Sequence, residues 1–170
     1  MKTALITLAI IIVAVAALFL ILGVMSKSGK APGLIDGRLS QCPDKPNCVC
    51  SEQKTASHYI EPLVIPENPT FDIFPALKNT IQEMGGHIEI ESDNYIAATF
   101  SSALFGFIDD LEIRIDSMQK VIHIRSASRV GHSDMGVNRK RAELFKDLYI
   151  QRVSEQAGVS PGRMPESGAH

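Results

Sequence analysis

The sequence predicts an α+β protein: an N-terminal transmembrane helix, then a small antiparallel four-stranded sheet with two helices on one face. Three observations predict it. The chain opens on a long uncharged run, a proline-punctuated segment bearing three cysteines follows, and the hydrophobic period then goes from helical spacing to two and back to helical spacing. Helical spacing marks amphipathic helices, and a period of two marks strands that bury one face.

The opening run, Thr3 to Met25, has 23 residues without a charge or a proline, and 14 of them are Leu, Ile, Val or Phe. A helix of that length covers about 34 Å, against a hydrocarbon thickness of about 30 Å. Its large apolar residues favour insertion by roughly 4 to 8 kcal/mol. A cleaved secretory signal is the rival reading, with Lys2 as a short basic start. The run exceeds the roughly 7 to 15 apolar residues of a signal core, and Ala14-Val15-Ala16 lies in its middle, away from any cleavage position. Residues 1–25 are therefore expected to form an anchor, with residues 3–25 meeting the lipid bilayer. Residues 26–38, with Gly29, Pro32 and Gly33, are expected to be a linker, residues 39–156 the folded α+β domain, and residues 157–170 a disordered tail.

With 45% hydrophobic and 21% charged residues, the 170-residue chain is not a disordered polymer. Its formal charge of -2 calls for no nucleic-acid partner. The total hides an uneven distribution. Glu83 to Asp116 holds eight acids and one base, whereas Arg125 to Arg152 holds seven bases and three acids.

Cys42, Cys48 and Cys50 fall within "CPDKPNCVC". A disulfide between Cys42 and Cys48 would close a short loop, worth about 2 kcal/mol, and would imply an oxidising compartment. Two alternatives stand beside it. One is free structural thiols; the other is a metal site through C-x5-C-x-C with His58 as fourth ligand, a spacing that matches no common zinc pattern. Whichever pair forms, one cysteine is left over, and Cys50 is expected to be that thiol. The cysteines argue for an extracytoplasmic domain, in the periplasm or an equivalent compartment of the cell envelope. Loop charge pulls the other way, since Lys27, Lys30 and Arg38 outnumber Lys2 and the terminal amine.

Within the domain, "YIEPLVIPENPT" is expected to run extended along an edge. Asp72 then caps a helix with Pro75 in its first turn, Phe74, Leu77, Ile81 and Met84 on one side, and Gly85-Gly86 as its stop. "HIEIES" puts Ile88 and Ile90 on one face, and Asp93-Asn94 turns into "YIAATFS". Leu111, Ile113 and Ile115 point inward against outward Glu112 and Arg114. Ile122 and Ile124 point inward against His123 and Arg125, so that the sheet has one wet face. A last helix from about Asn138 to Gln156, with Asn138 as its cap, shows Leu144, Leu148, Tyr149, Arg152 and Val153 along a stripe. "SALFGF", with Leu104, Phe105 and Phe107, sits where a turn should be polar, and reads either as core or as a rim touching the membrane or a partner.

The candidate site is the stretch "RSASRVGHSDMGVNRKR", read as a 17-residue polar loop from Arg125 to Arg141. It has the parts of an anion pocket: hydroxyls from Ser126, Ser128 and Ser133, guanidiniums from Arg125, Arg129 and Arg139, and N–H groups at a helix start. Gly131 and Gly136 allow close backbone approach. His132, Asp134 and Asn138 complete the ligand-binding candidates. The plainer alternative is that Arg125 and Arg129 pair with sheet acids such as Glu112, while Asp134 and Asn138 cap the helix. An acyl-transfer reading would set Ser126, Ser128 or Ser133 against His132 or His123, with Asp134 as orienter. His132, Ser133 and Asp134 are chain neighbours, whereas triad groups converge from separate segments. No phosphate-loop or histidine-metal spacing occurs, and neither a metal nor a cofactor is expected.

"CPDKPNCVCS", "DDLEIRID" and "IHIRSASRVGHSDMGVNRKR" together resemble the domain-of-unknown-function family 1499, over roughly Leu39 to Val153. The early block of that family has two cysteines, matched here by Cys42 and Cys48, and Cys50 departs from the pattern. The resemblance implies an envelope-associated or organellar domain without an assigned reaction, and it carries over no catalytic residue. The functional expectation is therefore a membrane-anchored, non-enzymatic domain that binds an anionic ligand or a protein partner through Arg125 to Arg141. A hydrolase or transferase using the same stretch is the alternative.

Overall fold

The computed structural model describes residues 1–67, 69 and 71–156; the predicted tail at 157–170 lies outside them. Helix α1 (Lys2–Lys27) is followed by a two-stranded hairpin, β1 (Leu34–Ile35) and β2 (Arg38–Leu39). The chain continues through β3 (Cys48–Cys50), β4 (Leu63–Val64), α2 (Ile73–Glu83), β5 (His87–Ser92), β6 (Tyr95–Ser101), β7 (Ile108–Asp116), β8 (Val121–Ser128) and α3 (Val137–Gln156). The class is α+β, as expected. α1 is long and apolar enough to cross a membrane.

The sheet has six strands, not the four expected: β3, β8, β7, β6 and β5 lie in that order, and β4 also pairs with β8. All pairings in it are antiparallel. The four expected strands are β5 to β8. The two extra ones are three and two residues long. They are too short to show a period, and β3 is buried along its whole length, so no alternation announces it. β3 pairs with the end of β8, Cys48 opposite Ala127, and β4 with its start, Leu63 opposite Ile122.

α2 and α3 share one face of the sheet. Its core joins Leu77 and Ile81 of α2 and Ala142, Phe145 and Tyr149 of α3 to Ile96, Leu111, Ile113, Ile122 and Ile124. Asp72 caps α2, its carboxylate accepting from Phe74 N at 3.2 Å. Gly85, at φ 81°, turns the chain out of the helix in a conformation that suits glycine. In α3 the buried stripe is Ala142, Phe145 and Tyr149, whereas Leu144 of the predicted stripe is exposed. Burial pushes the Tyr149 hydroxyl up to about 12.

Two expectations about faces are corrected. A β-bulge between Ile88 and Ile90 sets Ile88 opposite Ala98 but Ile90 opposite Ala97. Ile90 thereby leaves the helix face and is exposed. The second correction is larger. The face predicted to be wet is dry at its centre: Glu112, Arg114, His123 and Arg125 are all buried. Their cover is the chain between α1 and Gln53. Leu39, Cys42, Cys48 and Cys50 form a second core there with Tyr95, Ala97 and Ala127, and Ala31 and Leu34 pack against it. Residues 26–38, read as a linker, thus include the end of α1, the hairpin up to Arg38 and part of this cover.

Candidate functional site

β8 runs to Ser128, so the predicted polar loop shrinks to Arg129–Gly136 and its first four residues belong to a strand. Successive residues of a strand point to opposite faces. Arg125 therefore goes to the face covered by the chain between α1 and Gln53, here called the arm, and Ser126 and Ser128 to the helix face. The serines and arginines of the candidate list do not converge on one pocket.

On the arm face, Arg125 lies directly across from Glu112 and pairs with its carboxylate. The same carboxylate, fully buried, accepts from Tyr95 Oη at 2.7 Å and from Gly33 N at 3.1 Å. Burial and the Glu112 carboxylate push the Tyr95 hydroxyl far above its usual range. Arg129 grips Asp110 through Nε and Nη2, the latter at 2.7 Å, which raises its already high pKa. Its Nη1 donates to Ser26 O at 3.4 Å. Arg114 and Arg38 both pair with Glu52, a residue of the arm. His123 sits beside them, its Nδ1 3.0 Å from Ser51 Oγ, which itself accepts from Ile124 N. Burial lowers the His123 pKa, opposed by Glu52.

On the helix face a second polar group ties β8 to α3. Asn138 Oδ1 accepts from Ser126 Oγ at 2.6 Å and from Arg141 Nη1 at 2.7 Å, and its Nδ2 donates to Asn47 O, Ser128 Oγ and Asp134 Oδ2. Arg141 also pairs with Asp109 at 2.8 Å and lies over the Phe100 ring. Asp134, two residues ahead of the position that precedes α3, holds the start of the helix with its carboxylate, accepting from Gly136 N and Asn138 N. Asn138, predicted as the cap, lies inside the helix and acts as a buried clasp instead.

Of the predicted residues, His132, Asp134 and Arg139 do share a cleft. It measures about 370 Å³ and lies between the Cys42–Cys48 loop and the start of α3, with Lys45, Ser57 and His58 on its other wall. The disulfide joins Cys42 and Cys48, and Cys50 is free and buried. Burial pushes the Cys50 thiol pKa up. His58 Nδ1 lies 3.0 Å from Cys48 O. A carbonyl only accepts, so Nδ1 carries the hydrogen, and in the neutral ring Nε2 is left as an acceptor. Arg139 donates one N–H from each end of its fork to a carbonyl, Tyr59 O at 2.9 Å and Ser57 O at 3.0 Å, and keeps its other N–H groups free among the described residues. It thus meets no carboxylate among the described residues. Ser133 Oγ accepts from Met135 N and Asp134 is committed to the helix start, so His132, Ser133 and Asp134 form no relay.

Lys45, Ser57 and His58 of this cleft are absent from the sequence-based list of ligand-binding candidates. Lys45 lies in the disulfide loop, whereas Ser57 and His58 are set beside it by long-range bonds, Cys50 N to His58 O and Arg139 Nη2 to Ser57 O, that leave no mark in the sequence. For Glu52 and Asp109 no sequence signal existed.

A family model described as Protein of unknown function (DUF1499) matches residues 38–148. The chain belongs to this family. The match begins at β2, takes in the disulfide loop, the six-stranded sheet and the cleft, and ends within α3; α1 precedes it. The DUF1499 region therefore holds Glu112, Arg125, Asn138 and most of both cores, whereas Ser26, Ala31, Gly33 and Leu34 precede it and Tyr149 follows it. No curated protein matches the chain significantly.

Proposed function

We propose that this DUF1499 protein is a single-pass membrane protein whose domain lies on the extracytoplasmic side of the cell membrane. There it acts as a non-enzymatic binding module for an anionic group of a small ligand or envelope protein, held in the cleft beside the disulfide loop. One observation carries the reading. Arg125, Arg129 and Arg141 are each neutralised by a sheet acid, whereas Arg139 keeps its charge at the cleft wall with both ends of its fork held by carbonyls. Such a guanidinium is positioned in advance for a carboxylate or phosphate. Lys45 adds a second cation at the rim, and the N–H groups at the start of α3 add partial positive charge, offset in part by Asp44 and Asp134. The disulfide supports an oxidising compartment.

Thermal unfolding of the full chain in detergent, titrated with inorganic phosphate, citrate and glycerol phosphate, tests the binding. At a ligand concentration 100 times the dissociation constant the gain is about 2.7 kcal/mol, readable as a rise in Tm. Lys45→Ala, an exposed change, should weaken that rise, and Arg139→Gln should abolish it. Equal responses in wild type and both variants would reject the cleft. Thiol labelling of intact cells tests the placement. Cys50 is expected to stay unlabelled until the fold is opened, and Cys42 and Cys48 to appear only after reduction.

A further inference from the structure

Serine and phenylalanine side chains join α1 to the body of the domain. Ser26 Oγ accepts from Ile108 N at 3.0 Å and donates to Gly23 O at 2.6 Å. Gly23 faces the β6–β7 connection so closely that a Cβ there would come within 2.0 Å of Phe105 O. One turn earlier, Phe19 stacks on Phe105 at 5.1 Å and meets the edge of Phe107 at 6.2 Å. The connection itself is a closed loop, with Phe107 O accepting from Ser102 N at 2.8 Å and Ser102 Oγ accepting from Phe107 N at 2.9 Å. At its tip Leu104 is 79% exposed. No residue from Ser101 to Ile108 is charged.

Position along α1 decides what this tip meets. Phe19 precedes Lys27 by eight residues, or about 12 Å of helix. With Lys27 and Lys30 at the level of the lipid headgroups, Phe19 lies below them, and the loop stacked on it lies there too. We infer that the Leu104-Phe105-Phe107 tip dips into the same bilayer as a second, non-spanning attachment of the domain. This rests on the reading that α1 spans. Apolar side chains at the tip, and lysines one helical segment further out, are the arrangement of an interfacial anchor. Two attachments fix the tilt of the domain. β7 leaves the tip at Ile108 and runs nine residues to Asp116, so the β7–β8 turn with Met118 lies about 30 Å along the strand from the tip and serves as the distant reference.

The chain has no tryptophan, so a single one reports its own surroundings. Three full-length variants are reconstituted in vesicles of phosphatidylcholine and phosphatidylglycerol with brominated acyl chains: Leu8→Trp within α1, Leu104→Trp at the tip, and Met118→Trp at the far turn. All three replace exposed side chains. Leu8→Trp and Leu104→Trp should emit to the blue of Met118→Trp and lose intensity to bromine, whereas Met118→Trp keeps its intensity. A quenched Leu8→Trp beside a Leu104→Trp as red and unquenched as Met118→Trp would overturn the second attachment alone. An unquenched Leu8→Trp would overturn the spanning reading and this inference with it.

Discussion

The two faces of the sheet are both dry at the centre, but they are dried by different means. Toward α2 and α3, β7 and β8 offer Leu111, Ile113, Ile122 and Ile124, whose burial is favourable with any apolar partner of fitting shape. Toward the arm the same two strands offer Glu112, Arg114, His123 and Arg125, whose burial is tolerable only when each charge meets a specific partner. The difference teaches that alternation of apolar and polar residues identifies two faces without saying that either is wet. An arm from another part of the chain can cover the polar face if it brings Glu52, Gly33 N and apolar side chains such as Leu39 to the right places.

The largest expected effect breaks the comparison at its centre. Glu112→Ala strands the buried Arg125 guanidinium and should cost about 3–5 kcal/mol in urea unfolding. Leu111→Ala, the adjacent residue on the other face, should cost about 2–5 kcal/mol through lost packing and the cavity left behind. The two losses are similar in size but differ in repair. Adding Arg125→Met to Glu112→Met should return most of the stability, because a buried ion pair is replaceable by apolar groups of similar volume. Failure of that rescue would show that the Glu112 bonds to Tyr95 and Gly33 N, not the pairing with Arg125, hold the arm down.

Next in size is Asn138→Ala. Its side chain serves Ser126, Ser128, Asn47, Asp134 and Arg141 at once, and its loss should cost about 1–3 kcal/mol by leaving buried groups unpaired. The cost should fall on the helix face, leaving the thiol of Cys50 on the arm face protected from labelling. Replacing both Cys42 and Cys48 by Ser should cost about 2 kcal/mol and act on the arm face, speeding labelling of Cys50 in the native state.

The smallest effect concerns pH. Burial depresses the folded-state pKa of His123 below its ordinary 6.5, against the attraction of Glu52 and with Arg114, Asp116 and Arg38 nearby. As pH falls, the unfolded chain takes up the proton first. Stability from this group is thus complete above about pH 6.5 and declines as pH drops below it, until the folded imidazole protonates as well. His123→Gln should flatten the stability profile between about pH 7 and pH 5.5. An unchanged slope would mean that the arm opens to admit the charge.

Much of the fold was legible because its signals are local. An uncharged run of helical length, Asp72 before Pro75, Gly85 after the first domain helix, and strict alternation from Leu111 to Ile115 each act through near neighbours along the chain. The candidate site was legible only in part. Arg139, His132 and Asp134 do share a cleft, but Arg125, Ser126 and Ser128 were placed in a loop that is a strand. Nothing between Arg125 and Gly131 marks where pairing ends, since Ser and Arg serve a ladder and a loop alike.

Residue order by itself determined the elements whose signals are local: α1, α2, α3, the four longer strands and, Ile90 and Leu144 excepted, which side chains share a face. The tertiary structure decided the rest. It recruited Cys48–Cys50 and Leu63–Val64 as strands, moved Ile90 across the sheet by one bulge residue, and chose Glu112 for Arg125, Asp110 for Arg129 and carbonyls for Arg139. The physical reason is that backbone period and capping are set within a few residues. Whether water reaches a charge depends instead on segments brought together across dozens of residues, as Gly33 is to Glu112.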